Sequence, residues 1–202
     1  MLMSADRQTD YPLFPLRTVL FPGGRMALRI FEQRYLDLVR NTLREQSSFG
    51  IVHLHQGSEV GGDSQASQLA AVGCEAHIVD WDQTEDGLLG LVVQGGRRFR
   101  LHGSAQDASG LHRGAVEWLN EVDDIPLPEE ASELAALLAQ LLDHPHVQRM
   151  GMSGEATGTG DLVNRLAQLL PLEPADVYPL LEVDDPLQRL DVLHDLLERV
   201  SG

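Results

Sequence analysis

The spacing of apolar residues switches from one period to another early in the chain. Segment 26–30 alternates, with Met26, Leu28 and Ile30 on one side, which predicts a half-buried strand. From residue 31 the apolar positions recur at helical spacing, which predicts an amphipathic helix through FEQRYLDLVRNTLRE. The face that we expect to pack on the strands consists of Phe31, Tyr35, Leu38, Val39 and Thr42.

Short apolar or alternating segments between turn signals dominate residues 11–120. PLFPLR (12–17) holds two prolines, which predicts an edge strand because proline cannot donate to a ladder. The Asp-Gly turn at 85–87 predicts a hairpin. Further strands are predicted at 49–54, from about residue 69, at 88–93, after Gly95-Gly96 and at 111–119, with a polar loop at 56–67. Such a meander is small enough to curl into a barrel, and residues 1–10 before it are expected to be disordered.

The pattern changes again at EVDDIPLPEE, where prolines and acids predict a linker over 121–127. Leucine stripes beyond it predict a helical bundle over 128–202. The glycine-rich stretch 151–160 predicts a flexible loop, with Asp161 as a possible N-cap of the next helix. The fold class expected from the whole pattern is α+β.

Charge narrows the choice of partners. The formal net charge is −16, which disfavours nucleic acid and anionic membrane surfaces. Residues 121–202 contain 4 arginines and 17 acidic residues, a net charge of −13, so the acidity belongs to the helical half. The beginning MLMSADRQTD has neither the basic end nor the apolar core of a signal peptide, and we expect a cytoplasmic protein.

All 15 basic residues are arginine, and this absence of lysine excludes several kinds of catalysis. A P-loop ATPase needs a lysine at the phosphates, and a Ser-Lys peptidase needs a lysine as the base. Schiff-base chemistry is excluded for the same reason. The single Cys74 cannot form an internal disulfide and is interpreted as a small buried hydrophobe.

Four segments in order resemble the amino-terminal domain of Lon proteases, a domain that also occurs alone in small bacterial proteins and inside cereblon. They are FPLRTVLFPGGRMAL (14–28) with the helix RIFEQRYLDLVRNTL, GCEAHIVDWDQTEDGLLGLVVQGGRRFRL (73–101), and LAQLLPLEPADVYPLLEVDDPLQRLDVLHDLLE (166–198). The resemblance implies a β-rich PUA-like pseudo-barrel with one inserted helix, followed by a C-terminal helical bundle. It also implies that the domain binds unfolded or damaged polypeptide. Full Lon proteases continue into an ATPase and a serine-lysine peptidase, and we expect neither here.

No catalytic, cofactor-binding or metal-binding residues are therefore predicted, and each candidate has an ordinary alternative. His53 and His55 face one side of a strand at metal-ligand spacing, but no third ligand is evident, and we interpret them as ordinary strand histidines. His144 and His146 are interpreted as favourable charges at a helix end. Ser153 lacks the glycine and the preceding strand of a nucleophile elbow. The acidic residues Asp82, Glu85 and Asp86 are interpreted as a solvated turn.

Gly95-Gly96 is interpreted as a bulged turn. The nearby basic cluster of Arg97, Arg98 and Arg100 either contacts an acidic partner or lines a solvated strand edge. Trp81 and Trp118 are both interpreted as core residues.

Three functions remain open, all of them non-catalytic. The first is a module that binds exposed apolar segments along a groove or sheet edge of the β part. The second is an adaptor that docks on a specific folded partner through the acidic helical half. The third is a small-molecule pocket, although two tryptophans cannot build the three-tryptophan cage of cereblon. The sequence does not identify the protein-binding residues.

Overall fold

The computed structural model describes residues 6–56 and 68–201. Within these ranges there are a six-stranded sheet and six α-helices, of which one lies between strands and five follow the last strand. The strands are β1 (Arg7–Leu16), β2 (Arg25–Ile30), β3 (Phe49–Gln56), β4 (Gln68–Gln83), β5 (Leu89–Gln106) and β6 (His112–Trp118). The helices are α1 (Gln33–Glu45), α2 (Ser132–Leu142), α3 (Pro145–Arg149), α4 (Thr159–Leu169), α5 (Pro174–Glu182) and α6 (Pro186–Ser201). None of the helices in these ranges is long and apolar enough to cross a membrane.

Five of the six strands form a ring. The sheet order is β2-β5-β4-β3-β1-β6. An additional pairing of β6 with β5 closes the last five strands of this order into the ring. β2 lies outside the ring and pairs only with the first part of β5, from Leu89 to Gln94. The α+β class is confirmed, and the likeness to PUA domains stays a prediction.

The prediction that PLFPLR forms an edge strand is wrong, because β1 has a neighbour on each side. Its two neighbours divide it lengthwise: β6 pairs with Arg7 to Leu13, and β3 pairs in parallel with Leu13 to Leu16. Pro12 lies where only β6 is paired, and Pro15 where only β3 is paired. Each proline therefore has one open flank, which removes the conflict with its missing N–H group.

Two segments in the first third of the chain were predicted to lack regular structure. Residues 7–10 belong to β1, where the sequence predicted disorder, and Arg7 contacts Glu117 of β6 at 3.1 Å. Residues 1–5 lie outside the described residues. So does most of the predicted polar loop, since the gap between β3 and β4 covers residues 57–67.

The buried side chains form two clusters. The smaller lies between α1 and one face of the sheet, where Tyr35, Leu38 and Val39 are buried as predicted. Phe31 is an exception with 57% exposure, because α1 begins only at Gln33. The larger cluster fills the ring with side chains such as Phe99 and continues into the helices.

Gly95 permits the Phe-Pro-Gly-Gly turn to lie directly against β5. A Cβ atom at this position would stand 2.0 Å from the carbonyl oxygen of Phe21, a distance that no real side chain tolerates. The amide of Gly23 donates to the carbonyl of Gly95 at 2.9 Å. The bulge of the predicted bulged turn is present, since the register shifts between Cys74 and Ala76 of β4 opposite this segment. The turn is not, because β5 continues through Gly95-Gly96 from Leu89 to Gln106.

The linker caps a helix that comes 35 residues later in the chain. Asp124 accepts hydrogen bonds from the amides of Gly160 (2.7 Å) and Asp161 (3.0 Å) in the first turn of α4. Asp161, predicted as the N-cap, instead lies within that turn and accepts from the amide of Thr157. A carboxylate at this end of a helix satisfies free N–H groups and favours the dipole.

Residues 151–160 were predicted to be a flexible loop, and the structure corrects this. Buried Arg165 of α4 donates through its guanidinium to the carbonyls of Ser153, Gly154 and Glu155, at 2.9 to 3.3 Å. These three hydrogen bonds fix residues 153–155 to α4. The loop is held against the helix that follows it.

Arg98 connects the ring to the helices. Its side chain has no exposure, although it comes from the cluster predicted to be solvated or to contact a partner. The guanidinium donates to the carboxylates of Glu121 (3.1 to 3.3 Å) and Asp184 (3.0 Å). It also donates to the carbonyls of Leu181 (2.9 Å) and Val183 (3.1 Å). Arg98 therefore joins β5, the linker and the end of α5.

Replacing Arg98 is expected to destabilise the fold strongly. Arg98→Leu leaves two carbonyls and two partly covered carboxylates without their donor, and we expect a loss of about 3 kcal/mol in the free energy of unfolding. Urea unfolding followed by circular dichroism measures it. The matched control is Arg100→Leu, an exposed position two residues along the same strand, where we expect a change within about 0.5 kcal/mol. Equal losses in both variants would contradict the role of Arg98.

Candidate functional site

The β4–β5 hairpin extends beyond the ring as an arm. β3 pairs with β4 only as far as Ala76, so residues 77–83 of β4 pair with β5 alone. On the other side of β5 lies β2, which completes a three-stranded arm. Within the described chain, the outer edge of β4 at 77–83 has no strand beside it.

Rows of apolar side chains cross one face of the arm. Leu28 of β2 is opposite Leu91 of β5, which is opposite Trp81 of β4. Directly opposed residues project from the same face of a sheet. Leu91 is buried, whereas Trp81 at the end of the row is 60% exposed. The row therefore runs from half-buried Leu28 through buried Leu91 to exposed Trp81.

Further apolar residues on both sides of the arm extend this face. Ile78 and Leu89 lie in the adjacent rows and are half-buried. Phe31, which follows β2, lines a hollow of about 80 Å³ together with Leu28. These five residues, Leu28, Phe31, Ile78, Trp81 and Leu89, are named the arm patch. Phe31 and Trp81 are its two most exposed side chains.

The open edge of β4 carries its own protection. The amide of Trp81 donates to the carboxylate of Asp80 at 2.9 Å, and the amide of Gln83 donates to that of Asp82 at 2.7 Å. Charged side chains on an open edge discourage another strand from adding to it. The face of the arm is therefore a better binding surface than its edge, and what it offers chemically is apolar burial without a catalytic group.

A second cluster lies where the ring meets α5. The rings of His53 and His55 are 4.9 Å apart, on one side of β3 as the sequence predicted, and both contact the ring of Tyr178. Tyr178 accepts a hydrogen bond from the amide of Val72 and donates to Glu182. Burial is the main cause that lowers the pKa of His53, with a smaller contribution from His55. Burial also raises the pKa of Tyr178 to about 12.

A metal site does not follow from this cluster. In the described residues there is no group of three or more histidine, cysteine or acidic side chains placed to hold a metal ion.

The comparisons with known proteins agree with the fold and the residue pattern. The model of the ATP-dependent protease La (LON) substrate-binding domain matches residues 10–199. The chain belongs to this family. It is 27% identical to Lon protease of Anaeromyxobacter dehalogenans over 98% of its own length and 24% of that protein. It is 26% identical to Lon protease 2 of Myxococcus xanthus over 93% of its length and 23% of that protein. The chain thus spans about a quarter of these relatives.

Solved structures of Lon amino-terminal domains have a similar fold. A Lon N-terminal domain protein from Xanthomonas campestris is 38% identical with a TM-score of 0.73, covering 93% of this chain and 98% of that one. The N-terminal domain of Mycobacterium avium complex Lon protease has a TM-score of 0.60 at 18% identity, covering 92% and 96% of the two chains. The second supports the fold alone.

The other residues that the sequence singled out are dispersed over this Lon substrate-binding domain. His144 and His146 follow α2, and the His144 ring accepts from the amide of His146 at the start of α3. Asp86 lies in the predicted hairpin turn and contacts Arg29. Ser153 is in the loop held by Arg165. These positions share no site.

The basic cluster and the two tryptophans separate as well. Arg97 stacks on the Trp118 ring at 4.3 Å, whereas Arg98 turns inward to the helices. Trp118 packs in the ring against Tyr11 and Phe99, as a core residue should. Trp81 is exposed, so its interpretation as a core residue is wrong.

Cys74 is fully buried, as predicted. Burial raises the pKa of its thiol, which keeps the group protonated.

The buried His53 predicts a loss of stability in mild acid. Its pKa is lower in the folded chain than the ordinary value of 6.5, so the unfolded chain binds a proton first. The contribution of neutral His53 to the free energy of unfolding is therefore complete above pH 6.5 and decreases as the pH falls below that value. Thermal unfolding of wild type and His53→Gln at pH 7.5 and 5.5 measures it, and the variant should lose less stability. His144→Gln, at an exposed position, should behave as wild type does; equal losses in all three would refute this cause.

Proposed function

We propose that this domain is a non-catalytic module that binds exposed apolar segments of unfolded polypeptides through the arm patch. The family description as a substrate-binding domain supports polypeptide binding. The single observation that carries the location is the apolar row that leaves the core at Leu28 and Leu91 and ends in the exposed Trp81.

Side-chain burial is the expected mode of binding. Rings such as Phe31 and Trp81 offer large apolar areas at a small cost in conformational entropy, which suits ligands without a fixed sequence. The capped amides beside Asp80 and Asp82 oppose main-chain pairing along β4. A client segment would therefore lie across the face of the arm with its apolar side chains between those of the patch.

Binding should depend on the two exposed rings of the patch. We expect Phe31→Ser and Trp81→Ser each to weaken the binding of reduced, carboxymethylated lactalbumin by about 1 to 2 kcal/mol, because each removes an aromatic anchor. Fluorescence anisotropy of the labelled client gives the affinity. The matched control is Val200→Ser, which removes an apolar side chain of 62% exposure from α6 and should leave the affinity unchanged.

Tryptophan fluorescence gives an independent test in the unmodified chain. Acrylamide should quench the exposed Trp81 and leave Trp118, at 8% exposure, largely protected. Addition of the unfolded client should shield Trp81 and reduce this quenching. Unchanged quenching at saturating client would place the binding site elsewhere and contradict the proposal.

A further inference from the structure

A second apolar groove lies in the helical half, far along the chain from the arm. It has a volume of about 390 Å³ and is formed by α2, Leu127 of the linker and residues 154–156. Leu138 and Leu142 form its buried floor, and Ala139 opens it on the solvent side. The small side chain of Ala139 leaves room for one large apolar side chain from another molecule.

Two carboxylates stand at the rim of this groove. Asp143 and Glu155 both line it and are exposed, and neither carboxylate has a hydrogen bond or an ion pair with any residue in the described part of the chain. Arg165, which holds the same loop, is buried and donates to main-chain carbonyls and to Asp161. The two carboxylates at the rim therefore have no ion-pair partner among the described residues.

The charge of the surrounding surface adds to this field. Residues 121–202 carry a net charge of −13, and two of their four arginines, Arg165 and Arg189, are buried. A segment that brings a positive charge to the rim gains attraction, and an acidic segment is repelled. The apolar groove and the negative charge around it therefore favour the same ligand, a segment that is both apolar and basic.

We propose that this groove binds a polypeptide segment in which one large apolar side chain is flanked by lysine or arginine. The apolar side chain occupies the space beside Ala139, over Leu138 and Leu142. The flanking cations pair with Asp143 and Glu155. The site adds a charge-selective contact to the proposed function and does not depend on the arm patch.

Two labelled peptides test the selectivity. Both contain one central leucine and phenylalanine pair, flanked in one by lysine and arginine and in the other by glutamate. Fluorescence anisotropy should show that the basic peptide binds and that its affinity falls as NaCl is raised from 50 to 500 mM, since exposed pairs are screened by salt. Equal affinity of the two peptides, or binding insensitive to salt, would overturn the proposal.

Filling the groove tests its location. Ala139→Phe should weaken binding of the basic peptide on the order of tenfold, because the new ring occupies the space for the ligand. Ala136→Phe introduces the same residue at an exposed position of α2 outside the groove and should bind as wild type does. Equal effects of the two substitutions would overturn the proposal.

Charge removal at the rim has its own matched control. The double variant Asp143→Asn with Glu155→Gln should weaken binding about threefold at low salt. Glu130→Gln with Glu133→Gln changes the net charge equally at exposed positions outside the groove and should have little effect. If both pairs weaken binding alike, the attraction is general and the site is refuted.

Two further measurements distinguish binding at the groove from folding defects and from binding at the arm patch. Amide chemical shifts of the wild-type chain should change in α2 and at residues 154–156 when the basic peptide is added, and changes confined to the arm would overturn the assignment. A chain that binds the peptide there but does not capture unfolded lactalbumin would refute the arm patch and support the groove.

Discussion

A buried guanidinium determines how the two halves of this domain meet. Placing a cation where no water reaches it costs several kcal/mol unless all its donors are satisfied. Arg98 finds its partners in the linker and at the end of α5, with Glu121 and Asp184 supplying the charge and two carbonyls completing the set. A second buried arginine, Arg189, donates to the same carbonyl of Val183 and to Asn164. Buried arginines therefore join the ring of strands to the linker and the helices.

Local pattern predicted the elements and missed this joint, for a physical reason. Alternation correctly predicted β2, and helical spacing correctly predicted the buried face of α1. The alternation of buried and exposed residues fails at Arg98 and Phe99, because both are buried. Arg98 extends toward the helices, and Phe99 lies inside the ring. Glu121 lies 23 residues from Arg98 in the chain, and its other partners, Leu181, Val183 and Asp184, lie 83 to 86 residues away. No periodicity in residues 97–103 contains that information.

The arm patch illustrates the same limit at the candidate site. Strand alternation predicts which residues of a strand share a face. It does not predict how far a neighbouring helix extends over that face. Trp81 is apolar and lies in a strand, yet it is 60% exposed, whereas Leu91 opposite it is buried in the cluster that includes residues of α1. Asp82 was interpreted as part of a solvated turn. Instead, the carboxylates of Asp80 and Asp82 accept hydrogen bonds from amides of β4, which makes the face of the arm a better binding surface than its edge.

The divided pairing of β1 also constrains the order in which the chain assembles. Its second half needs residues 50–53, while its first half needs residues 112–117, so β1 cannot be fully paired until β6 is available. Contacts between such distant segments form slowly, because a large loop must close before they stabilise anything. Until the segment around residue 184 is made, Arg98 has no covering helix and can remain hydrated, where its charge costs little. Dehydration of that arginine therefore belongs to the final stage of maturation, after both halves have been synthesised.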